Sequence, residues 1–329
     1  MTSAIAPPRG KMKAVVQDGY GSPDFLTLRE IEVPVVGDDR VLVKVRAASV
    51  NALDWHLMQR LPHLIGKLLR QPASRVRGVD MAGHVEAVGR NVTQWKPGNE
   101  VFGVGIGAFA EYAATIEGRL APKPRNLTFE QAAAIPVAGC TALQGLRDKG
   151  QVQPGHRVLV YGAGGGVGTF AVQVAKALGA HVTAVSSSEN MDLVRSIGAD
   201  EVVDYTREDF TRRGQRYDVL FDVGADRSLA DCGRVLAPNG KHLLAGAASG
   251  PWAILSRLIT ARLLSRAGSQ RIVFMARVRH GDLVALKELA EAGKLTPVID
   301  RQYPLSEVPD ALRYLGGRQA RGKVAIRVA

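Results

Sequence analysis

The feature that most constrains the fold is a run of glycines, GAGGGVG, at residues 162–168. The preceding residues 157–161, RVLVY, form a short apolar run that is typical of a buried strand. After the glycines, apolar residues recur at helical spacing as far as Leu178, and Gly179 stands where a helix C-cap belongs. The sequence therefore predicts a strand, a tight glycine turn and a helix.

The residues that follow alternate between strand and helix patterns. Strands are predicted at 181–185, 201–205, 217–224 and 240–247, with helices at 189–198 and 228–237. Such alternation is typical of a doubly wound parallel sheet, so the fold class is α/β. Residues before about 130 have short, glycine-punctuated strand patterns instead, at 41–49, 83–89 and 107–115, which predict a barrel-like β domain.

The predicted domain division follows from this change of pattern. Residues 131–279 form the doubly wound domain. Residues 1–130 form the β domain, and residues 280–329 return to it, because the tail at 323–328 has a strand pattern.

A glycine turn between a strand and a helix is typical of a dinucleotide site, because backbone N–H groups there can approach a pyrophosphate. Gly166 and Val167 are the expected donors, and Gly165 beside them is expected to contact the cofactor. The next strand ends in three serines, 186–188, whose hydroxyls favour the 2′-phosphate of NADPH over the free ribose of NADH. Glu189 follows them, so NADH remains an alternative, because a carboxylate there would bind the ribose hydroxyl.

Composition limits the classes of partner. With only two cysteines, Cys140 and Cys232, a disulfide framework is excluded, and a cytoplasmic location is expected. The net charge is +12, and residues 55–79 and 251–281 carry five and six Lys/Arg without an acid. Aromatic residues make up only 5%, which argues against nucleic-acid binding. Weak association with an anionic membrane remains an open alternative.

Several motifs together resemble the medium-chain dehydrogenase/reductase superfamily, and in particular its zinc-free quinone oxidoreductase branch of the zeta-crystallin type. The motifs are ASVNALDW (48–55), GVDMAGHVEAVG (78–89), KPGNEVFG (96–103), AAIPVAGCTALQGL (133–146) and GGGVG (164–168). The resemblance covers nearly the whole chain. It implies a GroES-like β-barrel catalytic domain beside a Rossmann cofactor domain, and a homodimer.

The resemblance also implies that catalytic zinc is absent. The positions that match the three zinc ligands of alcohol dehydrogenases are Asn51, Val79 and Val137, which lack the thiolate and imidazole ligands that zinc takes. His84 is offset from the ligand position and is expected to be an ordinary strand residue. Without a Lewis acid, an already electrophilic acceptor suits the chain better than an alcohol.

The same resemblance assigns roles to individual residues. Asn51 is expected beside the nicotinamide ribose, Asp54 in the loop under the active site, and His56 as a proton or hydrogen-bond donor. The remaining cofactor contacts expected from the resemblance are Thr141, Ser186, Ser187, Tyr205, Ala245, Gly246, Arg318 and Lys323.

The leading interpretation is thus an NADPH-dependent reductase of a quinone or an α,β-unsaturated carbonyl. The alternatives are an NAD(P)-dependent alcohol or carbonyl dehydrogenase, and a non-catalytic cofactor-binding protein at a membrane surface.

Overall fold

A computed structural model describes residues 10–58, 75–224, 227–245 and 270–328. The chain divides into two compact units. The first comprises residues 1–137, 278–291 and 297–329, and the second comprises residues 138–277 and 292–296.

The first unit is built mainly from antiparallel strands. Its strands are β1 (Lys11–Gln17), β2 (Leu26–Glu32), β3 (Val41–Val50), β4 (Asp80–Val88), β5 (Glu100–Val104), β6 (Tyr112–Thr115) and β7 (Leu120–Pro122), followed near the C-terminus by β14 (Ile299–Pro304) and β15 (Lys323–Arg327). The tail strand β15 pairs antiparallel with β3, so residues 41–50 and 323–327 share one sheet, whereas β1 and β2 pair with each other in a separate sheet.

Helices of the first unit pack against this sheet. They are α1 (Ala52–Met58), α2 (Phe129–Ala133), α7 (His280–Glu291) and α8 (Val308–Gly316). The core beneath them is aliphatic, and Val43, Val45, Met81, Leu312 and Ile326 are among its buried members. Burial of such side chains stabilises the unit by about 1.5–3 kcal/mol each.

The second unit is the predicted doubly wound parallel sheet. Its strands are β8 (Arg157–Tyr161), β9 (His181–Ser186), β10 (Glu201–Asp204), β11 (Tyr217–Asp222), β12 (Leu236–Leu244) and β13 (Gln270–Val273). The order β10-β9-β8-β11-β12-β13 is that of the dinucleotide-binding fold, with the first strand next to the point where the order reverses. The described helices of this unit are most of α3 (Pro136–Leu143), α4 (Gly166–Ala177), α5 (Met191–Ser196) and α6 (Leu229–Arg234).

Some predicted boundaries differ from the observed ones. Strand β12 begins four residues earlier than predicted, because Asn239 adopts a positive φ of 65° and the ladder continues across this irregularity. The predicted helix 228–237 is correspondingly shortened to Leu229–Arg234. In the predicted strand 107–115 the ladder begins only at Tyr112, and Gly107 has a φ of 80°, outside the strand region.

The strand–turn–helix unit depends on one close approach. A Cβ added at Gly168 would lie 2.1 Å from the carbonyl oxygen of Gly162 and 2.7 Å from the Cα of Ala163, so only glycine fits there. A Cβ at Gly165 would come no closer than 3.5 Å to the same oxygen, which is ordinary contact.

We therefore expect Gly168→Ala to lower the free energy of unfolding by about 1–3 kcal/mol, since the backbone must move to admit the methyl group. Gly165→Ala, the matched control three residues away, should change it by less than about 0.5 kcal/mol. Denaturant unfolding of the three proteins gives the measurement. Equal stabilities of the two variants would contradict the packing argument.

Candidate functional site

The glycine turn presents backbone donors at the start of α4. Gly165, Gly166 and Val167 are partly exposed, whereas their neighbours on both sides are buried. The first intrahelical bond runs from Thr169 N to Gly165 O at 3.0 Å. The N–H groups of residues 166–168 therefore have no acceptor within the helix, and they add to the positive end of its dipole. This arrangement suits an anion such as a pyrophosphate.

The tip of β9 holds the three serines in different environments. Ser186 is 2% exposed and remains part of the strand. The Ser187 hydroxyl accepts a 3.1 Å hydrogen bond from Asn190 Nδ2, and Ser188 is exposed. Tyr205 is beside them, because its N–H donates to Ser186 O at 3.1 Å, and it is 42% exposed. Ser186, Ser187 and Tyr205, expected together from the sequence, thus lie at one edge of the parallel sheet.

Two other predicted cofactor residues lie elsewhere in the second unit. Thr141 is half-buried on α3. Ala245 directly follows β12, and its N–H donates to Asp222 O at 3.0 Å. Gly246 lies outside the described residues, as do residues 59–74 and 251–269 of the two basic segments.

In the first unit, a buried polar network fixes the side chain of Asn51. Its Nδ2 donates to Asp80 Oδ2 at 2.8 Å, and its Oδ1 accepts from Lys323 Nζ at 2.6 Å. Because a lysine only donates and a carboxylate only accepts, these partners fix which end of the amide faces each of them. Asn51 is 6% exposed, so the amide is held rigidly just below the surface of the unit.

Asp80 is the centre of this network and is fully buried. Besides Asn51, its carboxylate accepts from Ser49 Oγ at 3.1 Å and from Val137 N at 3.1 Å, and Lys323 Nζ lies 3.8 Å from Oδ2. Burial raises the pKa of Asp80 and lowers that of Lys323, and their mutual attraction opposes both shifts. The three hydrogen bonds and the nearby lysine charge stabilise the anionic form of Asp80.

Asp54, in the first turn of α1, has fewer hydrogen-bond partners than Asp80. Its Oδ2 accepts from Asn51 N at 2.8 Å, but its buried Oδ1 has no hydrogen-bond partner. Burial, with a smaller contribution from the nearby Asp80 charge, raises the pKa of Asp54 to about 7. With one oxygen unpartnered, little offsets the cost of burying the Asp54 anion. The cluster can keep a proton next to Asn51 near neutral pH.

Of the other predicted residues of this unit, Lys323 belongs to the cluster, whereas no hydrogen bond among the described residues joins His56 or Arg318 to it. His56 is half-buried on α1, and burial lowers its pKa, so the imidazole is neutral at pH 7 and can donate a single hydrogen bond. Arg318 is exposed after α8 with a left-handed φ of 57°. Lys323, expected beside a phosphate, is 3% exposed and bonded to Asn51 and to Val50 O.

Three polar residues that shape the two regions were given no role from the sequence: Asp80, Asn190 and Asp204. Asp80 carried a usable signal, since a carboxylate in the apolar strand pattern of residues 79–85 must find buried partners. No sequence pattern marks Asn190 or Asp204, because their hydrogen-bond partners depend on which strand ends lie side by side.

The residues at the three predicted zinc-ligand positions do not fit a zinc ion. Val79 and Val137 have aliphatic side chains, and the Asn51 amide is bonded at both ends. His84 is a residue of β4, where its ring lies 5.0 Å from that of Phe129 and its Nε2 is 3.7 Å from Glu100.

A separate group of metal-ligand types lies in the core of the second unit. Ligand atoms of Asp222, Cys232 and His242 all lie within 4.8 Å of one another, and all three side chains are buried. His242 Nε2 is already 3.1 Å from Asp222, and the guanidinium of Arg271 lies close enough to interact electrostatically with Cys232. We assign no metal to this group, because an arginine cation opposes a divalent ion and the group is closed to solvent.

The unusual pKa of Asp54 leads to a stability prediction. A folded-state pKa of about 7 against 3.8 means that protonated Asp54 favours the folded state, and that this stability is lost as pH rises from about 4 to about 7. Asp54→Asn removes the titration. Relative to the parent protein, it should therefore gain stability with rising pH, by up to about 4 kcal/mol above pH 7.

Thermal unfolding across this pH range measures the difference. Asp24→Asn is the control, because hydrogen bonds from Ser22 and Arg313 hold the pKa of the exposed Asp24 below its usual value. The difference in stability between Asp24→Asn and the parent protein should be constant above about pH 5. A constant difference for Asp54→Asn as well would contradict the raised pKa.

Two family models match parts of the chain. Residues 37–125 match the family model described as alcohol dehydrogenase GroES-like domain, and residues 197–326 match the one described as zinc-binding dehydrogenase. Within the described residues, no helix has the length and apolar character needed to cross a membrane.

Individual relatives cover almost all of the chain. It is 36% identical to an Arabidopsis thaliana protein named NADPH-dependent alkenal/one oxidoreductase, chloroplastic, over 96% of this chain and 79% of the relative. It is 34% identical to a chloroplastic quinone oxidoreductase of Triphysaria versicolor, over 96% and 98%.

The structure of the quinone oxidoreductase from Coxiella burnetii superposes with a TM-score of 0.86 at 29% identity, over 97% of this chain and 100% of that one. With these similarities along its whole length, the chain belongs to the medium-chain dehydrogenase/reductase superfamily, in its quinone oxidoreductase branch.

Proposed function

We propose that the chain is an NADPH-dependent reductase that delivers hydride to a quinone or an α,β-unsaturated carbonyl without zinc. The observation that carries this proposal is the Asn51 amide, which occupies a zinc-ligand position and is bonded at both ends to Lys323 and Asp80. The names of the relatives support the same acceptors and the same cofactor.

Residues of the second unit would bind the cofactor. The N–H groups of Gly166 and Val167 would contact the pyrophosphate, since they are partly exposed at a helix N-terminus. Gly165, whose N–H donates to Gly162 O at 3.2 Å, would lie against the cofactor without donating to it. Ser187 and Tyr205 would contact the adenosine end, and Ser186 would position them from within the strand. The roles of Thr141, Ala245 and Gly246 remain those expected from the resemblance.

NADPH supplies the hydride, so the protein has to orient the reactants and provide a proton. Asn51 would offer its second amide hydrogen and the free lone pair of its oxygen, with Lys323 and Asp80 holding the amide in one orientation. Asp54 would retain a proton near neutral pH, and neutral His56 would donate a hydrogen bond to the reduced acceptor. Lys323 thus acts as a positioning residue for Asn51, while Arg318 is the exposed cation left for a phosphate.

Domain roles, assembly and location are part of the proposal. Residues 1–130 and 280–329 would form the catalytic domain and residues 131–279 the cofactor domain, in a cytoplasmic homodimer. The charge of the two basic segments leaves weak binding to an anionic membrane as a secondary property.

The test of the proposed function is NADPH oxidation under anaerobic conditions with a panel of quinones and α,β-unsaturated carbonyls. We expect turnover with both acceptor classes and none with NADP⁺ and simple alcohols, because no Lewis acid is available to stabilise an alkoxide. Faster alcohol oxidation than acceptor reduction would instead favour the alcohol dehydrogenase alternative. Absence of turnover with bound NADPH would favour a non-catalytic binding protein.

A second prediction concerns metal content. The purified protein should contain no stoichiometric zinc, and chelators should leave its activity unchanged, because Asn51, Val79 and Val137 cannot form a zinc site. Elemental analysis should include a Cys232→Ala variant. Zinc that this variant loses would belong to the buried Asp222 group. Equimolar zinc that persists in the variant and is lost together with activity would refute zinc-independent catalysis.

A further inference from the structure

The tip of β9, where the adenosine end of the cofactor is expected, lacks a basic residue of its own. Residues 186–192 read SSSENMD and contain no lysine or arginine. Strand β10 lies beside β9 in parallel, and Asp204 at its end is in register with Ser186. Residues 204–208, DYTRE, therefore begin at the same edge of the sheet, and Arg207 is the only basic residue in the two segments.

Both oxygens of the Asp204 carboxylate accept hydrogen bonds from residues at this edge of the sheet. It accepts from Thr206 N at 2.9 Å, from Thr206 Oγ1 at 2.6 Å and from the hydroxyl of Ser188. Hydrogen bonds from Ser188 and Thr206 hold the pKa of Asp204 below its usual value. The two hydroxyls lie 3.1 Å apart, and because each donates its single hydrogen to Asp204, they compensate the charge of that carboxylate.

Arg207 interacts with the same carboxylate, but this interaction does not use its terminal nitrogens. Its Nε lies 3.5 Å from Asp204 Oδ2, and its side chain is 81% exposed. Throughout the part of the chain that the structure describes, its two terminal nitrogens show no hydrogen-bond partner. An exposed arginine whose terminal nitrogens have no such partner can bind a phosphate with two parallel hydrogen bonds.

Asn190 provides an independent indication that a ligand fits here. Its Nδ2 donates to Ser187, whereas its buried Oδ1 has no partner. Its side chain also packs against the glycine turn, since a Cβ added at Gly164 would lie 2.8 Å from it. The unsatisfied acceptor therefore lies between the turn and the strand tip, where the hydroxyl of an adenosine ribose can donate to it.

We propose that Arg207 selects NADPH over NADH by binding the 2′-phosphate of the adenosine ribose. This inference rests on the proposed function and specifies the cofactor for it. Glu189, exposed in the same segment, opposes a phosphate by charge. Arg207 offsets that charge, while Asp204 contributes less repulsion because its oxygens are already hydrogen-bonded.

The chain offers a closely matched control. Arg212 is likewise three residues after an aspartate, with its Nε 3.7 Å from Asp209 Oδ2 and its side chain 79% exposed. Arg207→Gln and Arg212→Gln thus remove the same charge from the same kind of surface ion pair. Only the first lies in the two segments that frame the serine tip. Arg207→Lys keeps the charge but removes the planar fork.

The experiment is titration of each protein with NADPH and with NADH at low and high salt, together with steady-state kinetics. We expect Arg207→Gln to weaken NADPH binding about tenfold to hundredfold and to leave NADH binding unchanged. Its KM for NADPH should rise while kcat stays the same, and the salt dependence of NADPH binding should decrease. Arg207→Lys should retain part of the preference, and Arg212→Gln all of it.

Equal NADPH affinity of Arg207→Gln and Arg212→Gln would overturn the role of Arg207 while leaving the reductase intact. A parent protein that prefers NADH would also overturn it, and would indicate that Glu189 binds the ribose hydroxyl. A parent protein that binds NADPH but reduces no acceptor would contradict the proposed function, while the selectivity of Arg207 would still be measurable by binding.

Discussion

The arrangement of the first unit depends on the buried carboxylate of Asp80. A charge removed from water needs partners, and Asp80 accepts hydrogen bonds from Ser49, Asn51 and Val137 and lies 3.8 Å from the ammonium group of Lys323. These partners come from the end of strand β3 and the residue that follows it, from the first turn of α3 and from strand β15. One carboxylate therefore joins three parts of the chain that are far apart in sequence, and it sets the amide of Asn51 in a single orientation.

The hydrogen bonds around Asp80 explain how Asn51 is held in place at a position where related enzymes have a zinc ligand. A cysteine on a zinc ion is held by the metal, whereas Asn51 is held by hydrogen bonds at both ends of its amide. Its oxygen faces a lysine and its nitrogen faces a carboxylate, so rotation of the amide would lose both bonds. The consequence is a polar group of fixed direction that cannot act as a Lewis acid. Such a group suits orientation of a cofactor and of an acceptor that is already electrophilic.

Much of the fold could be predicted because its signals are local. The glycine turn, the strand–helix alternation and the strand pattern of the tail each depend on residues that are close in sequence. Strand β12 was misplaced because Asn239, a non-glycine residue at positive φ, interrupts the apolar pattern without ending the ladder. The partners of Asp80 and Asp204 could not be predicted, since Lys323 is more than two hundred residues from Asp80, and strand order decides which tip lies beside Asp204.

Asp80 and Asp204 show why a carboxylate near a binding region need not repel an anion. Each accepts several hydrogen bonds, so its charge is compensated locally. From the sequence alone, the preference for NADPH or NADH depends on the negative charge of Glu189 and on the hydroxyls of the three serines. The structure changes this balance, because Asp204 organises Ser188 and Thr206 while Arg207 remains exposed beside them. Selectivity for a phosphate then depends on which charges are already compensated, rather than on the net charge of the segment.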